Sequence, residues 1–247
     1  MGVAGMTMKT PYDGTMKPGL SFNAELAAYV VFSKHVGVKV GLNMAHVSSS
    51  YELKGVKEQQ RVVDLSAIDY TLSMKKMNTY ISMMYAQVPF QLALIYDHWY
   101  ANLGFKLAIP MQVRSYSVCN SMQVSATMVS TGTVVNPGDP MADILGCRDY
   151  GNYAIADVAK DATSGSFQLL ASVDFGFRIP CAGRNAWTIG LYGDYSLVNS
   201  EAKGSLLTAK MDNAHRGSVK VGALPIEKLG FFSAGIKVMC DFGLNLK

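Results

Sequence analysis

Nine ionisable residues share a feature that spacing alone reveals. Glu25, Lys39, Lys106, Arg114, Asp174, Arg178, Asp194, Lys237 and Asp241 each sit on the polar parity of an alternating apolar/polar segment. Four are acids and five are bases. If those parities face one enclosed space, the chemistry available is ion pairing in a poorly hydrated interior. Unpaired charge is costly there, so both signs are needed together. The expectation is a salt-bridge network that fills a lumen. The sharper alternative is a gated conduit for small solutes or ions.

Other chemistry-bearing residues are thinner on the ground. His46 precedes Ser48, Ser49 and Ser50, a grouping a lipid-modifying outer-membrane enzyme would need near its outer rim. No GxSxG, HExxH or phosphate-loop pattern occurs, so no enzyme class is indicated. The four cysteines form no CxxC pair and the four histidines are scattered, which leaves a zinc site without support. Cys119 and Cys147 lie in one long connecting segment, where an oxidising envelope permits a disulfide or two free thiols. Asp139, Asp143, Asp149 and Asp157 share that segment, but their spacing fits no calcium loop. No metal or cofactor is expected.

The elements that must position these side chains are strands. The stretch 77–96 carries no charge for about the length of a spanning helix. Its period is two, however: Val88, Phe90, Leu92 and Leu94 share one face, and Gln87, Pro89, Gln91 and Ala93 the other. After Asp97 and His98 the alternation resumes from Trp99 to Val113, with Lys106, Gln112 and Arg114 on the polar side. Equivalent segments give eight strands, at 2–9, 18–33, 36–52, 78–96, 99–117, 165–179, 186–199 and 228–246. Several exceed the five or six residues usual in soluble sheets. Pro89 and Pro110 lack the N–H a ladder needs, so a bulge or irregular pairing is expected near each.

Connections alternate in length. Residues 33–35, 97–98 and 180–186 are short; 53–77, 118–164 and 200–226 are long; 10–17 is modest. Bacterial outer-membrane barrels show this alternation, with short periplasmic turns and long extracellular loops. Phe32, Tyr96, Trp99 and Trp187 flank the short turns and Phe242 lies near the last strand's end, the positions of a periplasmic aromatic girdle. Within 118–164, "DPMADILGCRDYGNY" reads as a short helix capped by Asp139 with Pro140 at its first position. Tyr150, Tyr153 and residues 122–128 offer a surface for a protein partner.

The pair "YAQVPFQLALIY" and "YANLGFKLAIP" resembles the strand-pair signature of the PorT-type, outer-membrane-protein-A-like β-barrel domain of Bacteroidota. The matching residues are Tyr85, Val88, Pro89, Phe90, Tyr96, Leu103 and Gly104. The specific part covers about thirty residues, and the chain ends "FGLNLK" where relatives often carry a near-terminal aromatic. The resemblance implies an outer-membrane barrel, here without a wall-binding domain.

Composition agrees with that picture. Charged residues make up 16 % of the 247, against roughly 25 % in soluble domains. The net charge of +4 comes without a basic tract, so nucleic acid is not a partner. The start "MGVAGMTMKTPYDG" has neither a basic nor an apolar leader segment, so the chain reads as the mature part of an exported protein. The expectation is a single all-β domain over 1–247, an eight-stranded antiparallel up-and-down transmembrane β-barrel of the bacterial outer membrane. It would contact membrane lipids and lipopolysaccharide, and other outer-membrane proteins through its long loops. Its role would be structural or that of an accessory subunit, with a narrow porin as the alternative.

Overall fold

The computed structural model describes residues 1–9, 12–63, 67–157, 167–181, 186–197, 207–211, 216–221 and 228–241. Eight strands close into a ring: β1 (Gly2–Lys9), β2 (Gly14–Val31), β3 (Val36–Val63), β4 (Ala67–Tyr96), β5 (Trp99–Met128), β8 (Gln168–Pro180), β9 (Ala186–Ser196) and β12 (Lys228–Asp241). Each pairs antiparallel with the strand before and after it in this order, and β12 returns to β1. Outside the ring lie β6 (Val134–Val135), α1 (Ala142–Leu145), β7 (Arg148–Asp157), β10 (Leu207–Met211) and β11 (Gly217–Val221).

The register fixes the geometry of the ring. From Gly2 the ladder runs through Gly235, Tyr192, Asp174, Asn102, Ala93 and Gly37 to Val31. In the other direction Gly2 pairs directly with Ser21. One circuit therefore returns ten positions further along β2. With about 3.3 Å per residue and about 4.8 Å between strands, that stagger over eight strands sets a tilt of about 40°, within the usual range for closed barrels.

Period-two alternation sorts side chains as the sequence pattern implies, but in the opposite sense to a soluble sheet. Leu26, Leu42, Leu103, Phe105, Phe175, Leu191, Ile236 and Val238 stand exposed on the outside, while Lys39, Lys106, Asp174, Gln87 and Gln91 are buried inside. The uncharged run 77–96 belongs to β4, and no described helix is long and apolar enough to cross a membrane.

All three long connections expected as loops contain sheet, and in 200–226 β10 and β11 pair with each other. Residues 53–63 and 67–77 prolong β3 and β4, and 118–128 prolong β5, so these strands reach 28, 30 and 30 residues. Residues 148–157 form β7, which pairs with β5. Loop assignment failed here because the alternation changes phase. The buried positions run 51 and 53, then 56, on β3; 72 and 74, then 77, on β4; and 117 and 119, then 122, on β5. Gly55, Ser121 and Gly151 adopt left-handed φ (62°, 51° and 56°) in this band, a region glycine enters without strain. A face-by-face reading sees the pattern break and stops; the ladder continues.

Beyond that band the extended wall curls around an apolar core of Leu53, Val56, Tyr70, Leu72, Met74, Met77, Met122 and Val124, closed by Leu145 of α1 and by Leu207 and Ala209 of β10. Glu58 Oε2 accepts from Leu207 N (3.1 Å) and from the Tyr12 hydroxyl (2.7 Å). Gln60 accepts from Ala209 N (2.7 Å) and donates to its carbonyl (3.4 Å), so one side-chain amide imitates a strand neighbour. The helix starts later than expected. Met141 occupies the cap without a side-chain bond, because the Asp139 carboxylate instead accepts from Asn136 N at 2.6 Å in a preceding turn. Cys119 and Cys147 are both buried in this core as free thiols, so the disulfide is not formed.

Candidate functional site

The lumen is the candidate site, and its charges come from strands that face one another across it. Lys39 of β3 contacts Glu25 of β2 and lies 3.0 Å from Asp174 of β8. Lys237 of β12 reaches Glu25 at 2.7 Å and Asp174 at 3.0 Å. Lys106 of β5 meets Asp194 of β9 at 2.8 Å. Three lysines thus face three carboxylates, each side chain at least nine-tenths buried. Every cation touches an anion, which is the condition for holding charge in a low-dielectric interior.

Six of the nine expected residues are thereby brought together. Arg114 is not: it is exposed on the outer face. The cause is a bulge. Tyr85 pairs with Pro110 but Met84 with Gln112, so Met111 is an extra residue on β5 and the side chains from there to Asn120 change face. Val113, expected outside, is buried inside, and Gln112 is exposed beside Arg114. The irregularity expected at Pro110 is therefore present and has this consequence. Near Pro89 the register does not shift, although the β3–β4 pairs skip from Val40–Phe90 to Asn43–Gln87. Arg178 keeps the inward parity at half burial near the strand end, apart from the six. Asp241 closes β12, and its side chain lies outside the described residues.

Neutral polar groups complete the lower lumen: Asn43 donates to Gln87 (2.8 Å) and Gln91 to Ser172 (2.9 Å). Asn102 Oδ1, Gln91 Oε1 and Thr188 Oγ1 are buried and make no hydrogen bond among the described residues. Above them the interior turns apolar. Ala45, Val47, Ile81, Met83, Tyr85, Val113, Leu170 and Phe231 form a buried layer, with the Tyr85 and Phe231 rings 4.8 Å apart. Sequence reading missed this layer because Tyr85 and Phe231 occupy the parity assigned to polar residues. Their size on that parity was the available signal.

The aromatic residues gather at one rim. Phe32, Tyr96, Trp99 and Trp187 are exposed there; Trp99 meets Phe177 edge-on at 5.5 Å, and His35 lies 5.2 Å from Tyr96. Phe242 lies outside the described residues. A second set, Tyr80 with Tyr116 at 6.5 Å, marks the other side of the apolar belt.

His46 points outward, and its Nε2 is 2.8 Å from the Ser82 hydroxyl, a residue the sequence pattern did not single out. Ser48 bonds the backbone of Leu20 and Ser49 donates to the Lys17 carbonyl on the opposite face. Ser48 and Ser49 are thus engaged elsewhere, and no acid among the described bonds orients the imidazole, as a nucleophile–base–acid chain requires. Among the described residues no group of three or more His, Cys, Asp or Glu side chains is placed to hold a metal ion.

In comparisons with known proteins, no family model, no curated protein and no solved structure matches the chain. The resemblance carried by Tyr85, Pro89 and Gly104 gains nothing from them, and the functional reading stands on geometry.

Proposed function

We propose that the chain is a non-enzymatic outer-membrane β-barrel with a plugged lumen and a structural or partner-binding role. The observation that carries this is the inside-out sorting of the ring: an uncharged apolar belt outside, compensated charges inside. Water would penalise such a belt, whereas a hydrocarbon layer solvates it. Support also comes from strand length. At about 40° tilt, a strand segment of about 9–13 residues rises about 23–33 Å, which brackets the thickness of a bilayer core. Aromatic residues at both margins fit the two interfaces. Exposed Lys54, Lys57 and Lys75 above the belt would meet lipopolysaccharide phosphates. The prolonged β3–β4–β5 wall with its capped core would then stand clear of the membrane as the surface for a protein partner.

A narrow porin would need a path through the Tyr85–Phe231 layer, and the close-packed apolar side chains of that layer favour the plug. The test is reconstitution into lipid vesicles followed by electrophoresis of heated and unheated samples. A faster-migrating unheated band and protease protection of the belt are expected. Recovery of the folded protein in the aqueous phase, with no heat-dependent shift, would sink the proposal.

A further inference from the structure

The ring is not fully paired along its height. β1 pairs with β2 only at Gly2, Val3 and Ala4. Among the described residues, 22–31 of β2 have ladder partners only on β3, and 237–241 of β12 only on β9. Two facing edges therefore leave a seam between β2 and β12 that begins at Met1 and runs to the aromatic rim. A cavity of about 600 Å³ fills it, lined by Leu20, Asn23, Glu25, Tyr192, Lys237 and Val238 among others. Outside groups can thus approach the Glu25–Lys237 pair from the side.

Unpaired backbone N–H and C=O groups are costly wherever they are shielded from water, and in hydrocarbon no open sheet edge is tolerated. Both edges run antiparallel to β1, so one strand aligned with β1 satisfies both at once. The ladder is already in register for it: the Met1 amino group donates to the Ile236 carbonyl and Ile236 N donates to the Met1 carbonyl, each at 2.9 Å. Pairing at Met1 thus shows no splaying that would end the strand.

We propose that this seam is a strand-acceptor site, occupied by an extended polypeptide segment that runs directly into Met1 and carries β1 down to the aromatic rim. Register dictates its chemistry. Gly2 and Ala4 face inward and Val3 outward, so the residue ahead of Met1 faces inward between Asn23 and Lys237. The next faces outward between Ala24 and Val238, and the third inward between Glu25 and Met239. Inward positions take small or neutral polar side chains, because an added charge would unbalance the three-to-three lumen network. Outward positions take apolar ones. The mode is strand addition, with main-chain bonds giving affinity and alternation giving specificity.

The test joins a nine-residue segment of this alternation ahead of Met1 in the full chain, with Cys181→Ser and a cysteine at the segment's second residue from Met1. That cysteine should crosslink to Ala24→Cys and, in a separate variant, to Val238→Cys, and the heat needed to shift the gel band should rise. A segment with the same residues in scrambled order should do neither. A crosslink to one edge only would overturn the seam, since it places the segment beside the wall rather than in it. Equal crosslinking by the same peptide added as a separate molecule would overturn the in-line source and assign the site to a partner's strand. Absence of any crosslink in a variant that still shows the heat-dependent band would refute the acceptor site while leaving the membrane proposal intact.

Discussion

Lys106 and Asp194 meet at 2.8 Å inside the barrel although β8 lies between their strands and eighty-eight positions separate them in the chain. Each side chain is 1 % exposed, so neither can trade its partner for water. Replacing Lys106 by Met strands a buried carboxylate and should cost about 3–5 kcal/mol. The double change Lys106→Met, Asp194→Leu should recover most of that loss. Urea titrations of the two variants, followed by the heat-dependent band, check it. A double variant as weak as the single would show that the pair does more than cancel its own charges.

The apolar layer predicts a closed pore. Liposomes carrying the protein should swell no faster in small sugars than empty ones. Tyr85→Ser with Phe231→Ser should raise ion conductance in planar bilayers, because it removes the rings that fill the lumen at 4.8 Å spacing. Clear, size-selective sugar flux through the unaltered protein would contradict the plug.

Charge on the outer face should cost according to depth. Phe105→Arg falls mid-belt and should destabilise by about 2–4 kcal/mol in vesicles, whereas Met111→Arg, near the native Gln112 and Arg114, should cost about 0–1 kcal/mol. Equal penalties in aqueous detergent-free buffer would argue against a lipid-facing belt.

Glu52 predicts an acid-sensitive wall. Lys17 at 2.7 Å and Lys76 at 3.2 Å hold its carboxyl at about 2, below the ordinary 4.5. A depressed folded value means the stabilisation is present above about 4.5 and is lost as pH falls toward 2. The Asp69 carboxyl, lowered by Arg61 at 2.6 Å, has the same sign. The difference in melting temperature between the protein and Glu52→Gln should therefore be visible at pH 6 and shrink from pH 4.5 to 2. A difference that does not change over that interval would exclude the ion pairs as its source.

Thiol chemistry should separate the cysteines. Cys181 is exposed and should alkylate at pH 8, while buried Cys119 and Cys147 should react only after unfolding. Burial pushes the Cys147 thiol up to about 11. The neutral form favours the fold below pH 9, and that contribution fades as pH rises through about 11. Mass mapping of modified peptides checks both statements, and a Cys119–Cys147 crosslinked peptide would refute the free-thiol assignment.

Much of the ring was legible in the sequence, since period two survives wherever an apolar outer face alternates with a polar interior. The eight strands of the ring and six lumen charges follow from parity alone. Parity also explains the errors. Met111 adds one residue, so Arg114 and Val113 exchange faces, and a strict every-second-residue count cannot register an insertion in the partner ladder. The left-handed residues Gly55, Ser121 and Gly151 reverse the pattern again, which concealed the prolonged wall. The cap was beyond reach for another reason. Glu58 and Gln60 bind backbone atoms of β10 149 positions away, and such contacts leave no local period.

The circuit of pairings also sets an order of assembly. β3, β4 and β5 are joined by close reversals, so their ladders can zip from the turns outward at small loop-closure cost. Gly2 and Gly235 face each other only after the rest of the chain has been laid down between them. Closure between β1 and β12 is consequently the slow, late event in folding, and the species that precedes it is an open curl with two sticky margins.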